Sequence, residues 1–375
     1  SRKAKVALAF ARTATCGLFA HAGVAFVVFA LPCTWRELRD NKRATHVNTL
    51  DEQHMRLAVS TANDARLRSR PNPWVGAVVV SLSGEVFTGS TLEPGNAHAE
   101  IVALSAAGNH AVGATLYSTL EPCSHTGRTG PCTTAIIKAG VKRVVVGTLD
   151  PDANVSGSGV QQLRNAGVTV DVGVLEHDVR AQLAPYLHHR STGRPFVVLK
   201  MASTIDGRIA AADGSSKWIT GETARKRVHQ LRAESDAIVV GAGTVRTDNP
   251  SLTVRDVHGP SPRRIVLGNI DPQANVHPCT QWTGSLTDLL DTLGNEGVVQ
   301  LLVEGGARVA ASFHRERLIN QYIMHIAPVI AGGDNAAGVF AGPAAATMAD
   351  MWRGRVVSTT NLDGDIEIIL EPNLN

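Results

Sequence analysis

The sequence predicts two α/β domains joined in series, and three observations lead to this fold class. First, 375 residues exceed what one ordinary hydrophobic core organises and suit two domains of common size. Second, short apolar segments rich in β-branched residues alternate with segments of helical periodicity along most of the chain. Third, the alternation restarts after the polar segment STGRP, which predicts a linker between the domains.

The first domain is predicted to span residues 49–193, with helices and strands in alternation. Apolar residues at helical spacing indicate a helix over 50–67, and the prolines of PNPWVG end it before the buried strand GAVVV. The remaining predicted elements are a strand near 85–89, a helix near 98–107, a strand within 113–123, a helix within 132–141, a strand within 142–151, and a helix and strand within 155–174.

The second domain is predicted to span residues 194–375 and to open on the buried strand FVVLKMA. Apolar runs and helical patterns again alternate after it, and a pair of strands closes the chain. The predicted elements between are a helix within 221–235, a strand within 236–244, a strand within 263–268, a helix within 286–294, a strand within 299–306, a helix within 308–318 and a strand within 321–332.

Composition and charge restrict the classes of function. The chain is 43% apolar and 18% charged, as soluble globular proteins are, and its net charge of +3 is too small to indicate a nucleic-acid or membrane partner. The basic residues are scattered rather than clustered, which favours the same conclusion. Five cysteines over this length exclude a disulfide framework, so the pair nine positions apart in EPCSHTGRTGPC needs another explanation.

Residues 1–48 form an N-terminal extension of a different character. Basic residues precede the apolar stretch GLFAHAGVAFVVFALP, an order similar to a signal peptide or short anchor, but the stretch is shorter than a membrane-spanning helix needs. Three interpretations remain: an anchor, an amphipathic addition, or translated upstream sequence. We favour the last, because an enzyme could begin at Asp51 or Met55.

A candidate metal site combines the tripeptide HAE with the two loop cysteines. His98, Cys123 and Cys132 supply one imidazole and two thiolates, which suits a zinc ion that keeps its fourth position for water. Glu100, two residues after the histidine, is placed to transfer protons as the catalytic residue. The arrangement H-x-E, then P-C, then C, is the signature of zinc deaminases that act on nucleobases.

Each part of this pattern also has an ordinary structural interpretation. His-Ala-Glu is common on surface helices, and loop cysteines can be plain buried thiols, so the prediction depends on the combination and its spacing. His125 lies inside the loop and is an alternative ligand. We favour His98, because it stands beside the required glutamate, and we assign His125 to substrate contact or loop structure.

Four stretches of the second half carry polar groups after predicted strands: LKMASTIDGRIA, SSKWIT, VVGAGTVRTDNPSLTVR and LLVEGGARVA. In the last of these a strand, two glycines and a helix start follow one another, which suits phosphate binding by backbone N–H groups. A tight turn gives the same pattern, so this signal alone is weak. The G-x-G-x-x-G fingerprint is missing, so a nicotinamide site would be of another kind than the Rossmann type.

Together these stretches and the motifs RPNPWVG, HAE and TLEPCSHTGRTGPC resemble the bifunctional RibD family of riboflavin biosynthesis. The resemblance runs from about Asp51 to the C-terminus. It implies an N-terminal cytidine-deaminase-like three-layer domain followed by a dihydrofolate-reductase-like α/β domain. It also implies Zn²⁺ and NADPH as cofactors, hydrolytic deamination of a diaminopyrimidinone ribotide, and reduction of its ribosyl chain.

The resemblance further implies the binding residues of both halves. Asn72 would contact the deaminase substrate. The residues implied for NADPH are Ser203, Trp218, Thr244, Asp248, Gly306, Ala307, Arg308, Val309, Ala310, Ala311 and Ser312. Those implied for the reductase substrate are Lys200, Asp206, Ser216, Arg232, Leu252, Arg255 and Glu304. A pair of arginines suits a phosphorylated sugar, because the guanidinium fork matches phosphate oxygens.

The chain departs from the family pattern at a few positions. Gly130 stands where the family commonly has proline, and Ser203 where it has alanine. Gly268 and Asn269 replace an Asp-Ser pair, and the segment LINQ, residues 318–321, lacks the usual acidic pair. Gly130 should loosen the metal loop without touching a ligand. The changes in the second half leave its motifs intact but predict a weakened reductase.

Two other functions remain open at this stage. One is a zinc deaminase of another nucleobase, such as a tRNA adenosine, with an accessory binding domain; the near-neutral charge disfavours it. The other is a scaffold with structural zinc, which needs a fourth protein ligand. We therefore expect a small-molecule pyrimidine ribotide as partner, no nucleic acid, no stable membrane association, a homo-oligomer and a cytoplasmic location.

Overall fold

The structure, a computed structural model, describes residues 37–125, 130–152 and 156–373, with side chains described from residue 49 onward. The chain divides into two compact units, residues 1–47 and 48–375. Residues 1–36 of the predicted N-terminal extension lie outside the described residues, and the backbone of residues 37–48 forms the first part of a helix. Within the described part, no helix has the length and apolar character that a membrane crossing requires.

The first half of the described chain alternates strands and helices as predicted. Two helices close this half, and the sequence had indicated neither of them as a separate element. The elements are α1 Glu37–Ala62, β1 Gly76–Val80, β2 Val86–Ser90, α2 Ala99–Ala107, β3 Thr115–Leu120, α3 Cys132–Lys138, β4 Arg143–Thr148, α4 Ser158–Asn165, β5 Thr169–Val172, α5 Glu176–Gln182 and α6 Ala184–Thr192.

The five strands of this half form one sheet in the order β2-β1-β3-β4-β5. Strand β1 is antiparallel to both of its neighbours, whereas β3, β4 and β5 are parallel. Parallel strands are covered on both faces, which explains the unbroken apolar run of Val144, Val145 and Val146 in β4. Because β3 and β4 are parallel neighbours, the loops after them meet at one edge of the sheet.

The second half continues with strands, helices and one long closing hairpin. Its elements are β6 Phe196–Thr204, α7 Glu222–Ala233, β7 Ala237–Gly241, α8 Ala242–Asp248, β8 Arg263–Leu267, β9 Thr280–Trp282, α9 Leu286–Asn295, β10 Gln300–Val303, α10 Ala307–Arg315, β11 Gln321–Ala327, β12 Gly354–Leu362 and β13 Asp365–Pro372.

These eight strands form a second sheet in the order β12-β13-β11-β6-β10-β7-β8-β9. The strands from β11 to β9 are mutually parallel, and the β12–β13 hairpin adds to β11 in antiparallel fashion. Two apolar clusters, one on each face of the sheet, form its core. The carboxyl ends of β10 and β7 lie side by side and carry Glu304 and α8.

The predicted fold class is confirmed, with local differences. The helix expected over 50–67 ends at Ala62, and a short 3-10 turn continues it to Ala65. The strand expected within 236–244 ends at Gly241, where α8 begins. The loop that contains Cys279 also carries the short edge strand β9. The sequence did not predict this strand, because its three residues are too few to show a strand periodicity.

The predicted domain boundary at residues 193 and 194 falls between α6 and β6, hence between the two sheets. The two halves touch through largely buried charged groups. Arg70 pairs with Asp236 at 3.1 Å and donates to the carbonyl of Ala233 at 2.8 Å. Arg66 pairs with Glu234 at 3.3 Å. Ion pairs between residues just after the first helical segment and residues just after α7 are therefore one part of the interface.

Candidate active sites

The three predicted metal ligands converge at the starts of two helices. His98 is the residue that precedes α2 and has an extended backbone, so its imidazole lies beside the helix start. Cys132 is the first residue of α3, and Cys123 follows β3 after two residues. The positive end of the α3 dipole lies at Cys132 and favours its thiolate, against the neighbouring Cys123 and burial, which raise the pKa of this thiol.

The distances within this group suit a tetrahedral zinc ion. The Nδ1 atom of His98 lies 3.6 Å from Sγ of Cys123 and 3.3 Å from Sγ of Cys132. Zinc–ligand bonds of about 2.0–2.3 Å at tetrahedral angles place neighbouring ligand atoms about 3.5 Å apart. Of the described residues, no other group of three or more potential ligands lies as close together, and His125 is not a member.

Glu100 stands in the first turn of α2 and is almost completely buried. Burial is the main cause that raises its pKa to about 7, and the nearby Cys123 raises it further. A carboxyl group with this pKa is present in both protonation states near neutral pH. The hydrogen bond from Cys132 and the contact with His98 lower the pKa of Cys123, which favours its thiolate.

A cavity of about 380 Å³ opens beside the metal-ligand group. His98, Glu100 and Cys123 line it, and so do the predicted substrate residue Asn72 and the exposed His125. The structure thus brings the predicted catalytic, metal and substrate residues of the first half together. It adds polar residues that the sequence interpretation did not identify: Glu121, Asp150, Asp152, Tyr186 and Arg190.

Glu121 explains how the metal loop is held. Its carboxylate accepts hydrogen bonds from the backbone N–H groups of Gly157 at 2.9 Å and Val160 at 3.1 Å, at the start of α4. Gly159 packs so closely on the carbonyl of Pro122 that an added Cβ would overlap that oxygen. The start of α4 is therefore fastened to the segment that carries Cys123.

A second cavity, of about 700 Å³, lies in the second half. Most of the residues that the resemblance implied for the reductase line it: Lys200, Ser216, Trp218, Arg232, Thr244, Asp248, Leu252, Arg255 and Glu304. The sequence interpretation missed Lys217, Arg225, His229 and Asp256, which line it as well. Arg225 stacks 4.8 Å from the Trp218 ring centre, a contact that spacing in the sequence does not reveal.

Arg232 and Glu304 form the charged centre of this cavity. Two parallel hydrogen bonds of 2.7 Å join the guanidinium to the carboxylate, and both side chains are largely buried. Burial alone would raise the pKa of Glu304, but Arg232 lowers it overall. Burial also lowers the pKa of Lys200 to about 8, against the opposite influence of Glu304. Lys200 can therefore release a proton near neutral pH.

Three parts of the predicted reductase site lie outside this lining. Ser203 is buried within β6. The Asp206 carboxylate accepts a hydrogen bond from Thr204 at 2.5 Å and others from the backbone N–H groups of Ala331 and Gly332, so in this structure it holds a turn. The segment from Gly306 to Ser312 forms the start and body of α10.

The start of α10 nevertheless suits a dinucleotide phosphate. A Cβ added to Gly306 would lie 3.3 Å from Oγ1 of Thr244, which lines the cavity, so the glycine keeps the backbone close to it. The first N–H groups of a helix have no intrahelical acceptor and favour anions. Thr244 and Asp248 on α8 lie beside the same cavity, so these residues fit NADPH.

The fold and the sites define a class of protein: a zinc-dependent deaminase fused to a reductase domain. Residues 48–148 match the cytidine and deoxycytidylate deaminase zinc-binding region, and residues 195–367 match the RibD C-terminal domain. The chain belongs to the RibD family of riboflavin biosynthesis proteins. It is an enzyme with deaminase and reductase activities, and its cofactors are zinc and NADPH.

Individual relatives cover most of the chain. The RibD protein of Aquifex aeolicus is 41% identical over 319 residues, which are 76% of this chain and 89% of the relative. That of Corynebacterium ammoniagenes is 43% identical over 293 residues, which are 75% of this chain and 87% of the relative.

Solved structures show the same two-domain arrangement. RibD of Acinetobacter baumannii superposes with a TM-score of 0.81 at 36% identity, over 87% of this chain and all of that chain. A Thermotoga maritima protein superposes with a TM-score of 0.79 at 33% identity, over 88% of this chain and all of that chain. It is described as a diaminohydroxyphosphoribosylaminopyrimidine deaminase and 5-amino-6-(5-phosphoribosylamino)uracil reductase.

Proposed function

We propose that the chain catalyses two consecutive steps on one pyrimidine ribotide. The first is hydrolytic deamination of 2,5-diamino-6-(5-phosphoribosylamino)pyrimidin-4(3H)-one, and the second is reduction of the ribosyl chain to give 5-amino-6-(5-phosphoribitylamino)uracil. One observation carries the proposal: a single chain holds a metal-ligand group with a buried glutamate in one cavity, and a Lys–Glu–Arg cluster in another. The described activity of the Thermotoga protein supports these substrates.

In the deamination, water adds to the amine-bearing C2 of the pyrimidine and ammonia leaves. The chemistry that a zinc ion would supply here is a lower pKa, near 7, for a water that it binds, and hence a nucleophile at neutral pH. Glu100 takes the proton that this water loses and delivers it to the departing amine. Its pKa of about 7 suits both transfers, because neither protonation state is strongly favoured.

Asn72 lines the same cavity and would orient the ring through its amide, which both donates and accepts hydrogen bonds. His98, Cys123 and Cys132 would hold the zinc, and the described ligand group leaves a fourth position for water. This arrangement is that of a catalytic site, because a structural zinc takes a fourth protein ligand.

In the reduction, NADPH supplies a hydride to C1′ of the ribosyl group, and the ring oxygen must gain a proton as the ring opens. Lys200 is the proton donor that the cavity offers, since its pKa of about 8 leaves it largely protonated at neutral pH yet able to transfer the proton. The charge of Glu304 favours the ammonium form of Lys200, whereas Arg232, which forms a bidentate pair with Glu304, disfavours it.

The substrate phosphate would bind Arg255 in the reductase cavity. This side chain is exposed at the cavity wall, and its guanidinium hydrogen-bonds Oγ of Ser251 at 2.6 Å, which orients it. Ser216 and Leu252 complete the substrate side of the lining. Trp218, Thr244, Asp248 and the start of α10 form the cofactor side. Ser203 and Asp206 stay predictions of the resemblance, at positions outside the cavity lining.

We further propose a homo-oligomer that acts in the cytoplasm on this small molecule and on no nucleic acid. The β12–β13 hairpin lies at the edge of the second sheet and exposes Val356, Val357 and Ile366, an apolar surface of the kind that a second copy covers. A reducing compartment suits the protein, because Cys123 and Cys132 must remain thiols to bind zinc.

The test is a coupled assay on the purified full chain with the ribotide as substrate. We expect stoichiometric ammonia release, followed by oxidation of NADPH that depends on the deaminated product. Ammonia release without NADPH oxidation would refute the reductase step and point to the changes at Gly268 and Asn269. Release of ammonia from tRNA rather than from the ribotide would refute the substrate.

A further inference from the structure

The deaminase cavity is lined by several acids and, among its described residues, by a single lysine or arginine. Glu100, Glu121, Asp150 and Asp152 are the acids, and Arg190 is the strong base. The proposed ribotide carries a phosphate of charge near −2. Acidic walls repel such a group, so its binding requires a cation on the same wall. Arg190 is the described side chain that can provide one.

Arg190 is positioned by an aromatic ring. Its guanidinium carbon lies 5.2 Å from the ring centre of Tyr186, one helical turn earlier on α6. The Tyr186 hydroxyl in turn donates to the Asp150 carboxylate at 3.0 Å, and both of these residues are buried. A guanidinium that stacks on a fixed ring keeps its edge available for a planar pair of hydrogen bonds.

Arg190 forms only a long ion pair with Asp152, so a ligand with more charge can compete for its guanidinium. Its Nε lies 3.8 Å from the Asp152 carboxylate, which is longer than a hydrogen bond. About one third of the Arg190 side chain and one quarter of the Asp152 side chain are exposed. A phosphate offers three oxygens and more charge than one carboxylate, so it can replace Asp152 as the partner and form bidentate hydrogen bonds.

We propose that Arg190 binds the ribose phosphate in the deaminase cavity and makes this half selective for ribotides over nucleosides. This assignment rests on the proposed function and adds a specificity-determining residue to it. The guanidinium acts on binding and takes no part in the proton transfers of Glu100. Loss of Arg190 should therefore weaken the binding of phosphorylated substrate and leave the rate of the bound complex nearly unchanged.

The kinetic test compares Arg190→Gln with wild type on the ribotide and on the same nucleoside without phosphate. We expect KM for the ribotide to rise about 10- to 100-fold, as for loss of a charge-assisted hydrogen bond, with kcat nearly constant. Nucleoside kinetics and NADPH oxidation should not change. Arg180→Gln, an exposed arginine of the same half outside the cavity lining, is the matched control. An unchanged ribotide KM, or an equal rise for the nucleoside, would overturn the assignment.

A binding measurement separates this assignment from the proposed reaction. Ribose 5-phosphate is titrated calorimetrically into the full chain carrying Arg255→Gln, which weakens the phosphate site proposed for the reductase cavity. Adding Arg190→Gln should abolish the remaining binding. If wild type deaminates nothing but this loss is seen, the substrate is wrong and the phosphate site stands. If binding persists in the double variant, Arg190 is not the phosphate ligand.

Discussion

At the scale of single residues, the two cavities depend on groups whose pKa values burial has moved toward neutrality. Burial raises the pKa of Glu100 to about 7 and lowers that of Lys200 to about 8. The directions are opposite because burial disfavours the charged form of either group. A carboxyl group and an ammonium group thus both become able to exchange protons near neutral pH, one in each half of the chain.

Replacement of Glu100 by glutamine should remove deamination selectively. The amide keeps the shape of the side chain but cannot carry the proton, so ammonia release should fall about 10²- to 10⁴-fold. Zinc content, measured by atomic absorption, and NADPH oxidation with the deaminated intermediate should match wild type. Glu93→Gln, on an exposed carboxylate nearby, is the control. Full-rate ammonia release by the Glu100 variant would contradict the proton-transfer role.

The pH dependence of the reductase should report Lys200. A proton donor must be protonated, so kcat/KM for reduction should be level below about pH 8 and fall about tenfold per pH unit above it. Lys200→Met should lose most of the activity and the descending limb together. The pH profile of ammonia release serves as the internal control, because Lys200 lies outside that cavity. A profile that stays level well above this pH would refute the assignment.

At the scale of secondary-structure elements, two helix starts and one loop determine the metal site. The start of α2 places His98 and Glu100, and the start of α3 places Cys132. A third helix, α4, is attached to the loop through the Glu121 carboxylate. It is attached to α3 through Thr133, whose hydroxyl donates to the side-chain oxygen of Gln162 at 2.6 Å. The geometry of the ligands therefore depends on how closely α4 packs on the loop.

Gly159→Ala should loosen the metal site without changing a ligand. The added methyl group would overlap the Pro122 carbonyl, which is backbone and cannot rotate away, so α4 must move from the loop. We expect zinc affinity to fall about 10- to 100-fold in competition with a chelator, as for other changes that reorient ligands.

The matched control is Gly130→Ala, in the same loop. A Cβ at Gly130 would meet no atom of the described residues within 4 Å, so zinc affinity should remain that of wild type. Equal affinity of the Gly159 and Gly130 variants would show that the packing of α4 does not position the ligands.

At the scale of the whole molecule, ion pairs at the interface connect the two halves. Arg70 and Asp236 are largely buried, and Asp236 also accepts the backbone N–H groups of Val299 and Gln300. The carboxylate thus joins the entry of β10 to the first half of the chain. Loss of Arg70 would leave the Asp236 carboxylate without its cationic partner. The loss of folding stability would be larger than for an exposed ion pair, because the carboxylate is largely buried.

Arg70→Ala should destabilise the full chain by about 1–3 kcal/mol and lower the temperature at which both activities are lost. Arg56→Ala, which removes an exposed ion pair with Asp178, should change stability by less than about 1 kcal/mol. Calorimetry and residual activity after heating provide the measurements. Inactivation of only one half at the lower temperature would show that the interface does not couple them.

The sequence by itself determined the alternation of strands and helices, the ligand types and the residues beside them. Apolar periodicity reflects which side of each element is buried, so it is visible in the sequence without knowledge of the fold. The tripeptide HAE and the two cysteines lie close enough along the chain to identify a zinc deaminase from their spacing. Local pattern failed where elements are short or lie at an edge, as with β9 and α8, because few residues then carry the period.

Only the tertiary structure decided which distant residues share a cavity. Arg190 and Tyr186 lie in a segment that the sequence marked as the approach to a linker, yet α6 brings them to the wall that carries Glu100. The structure also placed Asp206 in a turn and outside the reductase cavity. The physical reason is that a cavity forms where strand ends and helices converge, and this convergence is independent of distance along the chain.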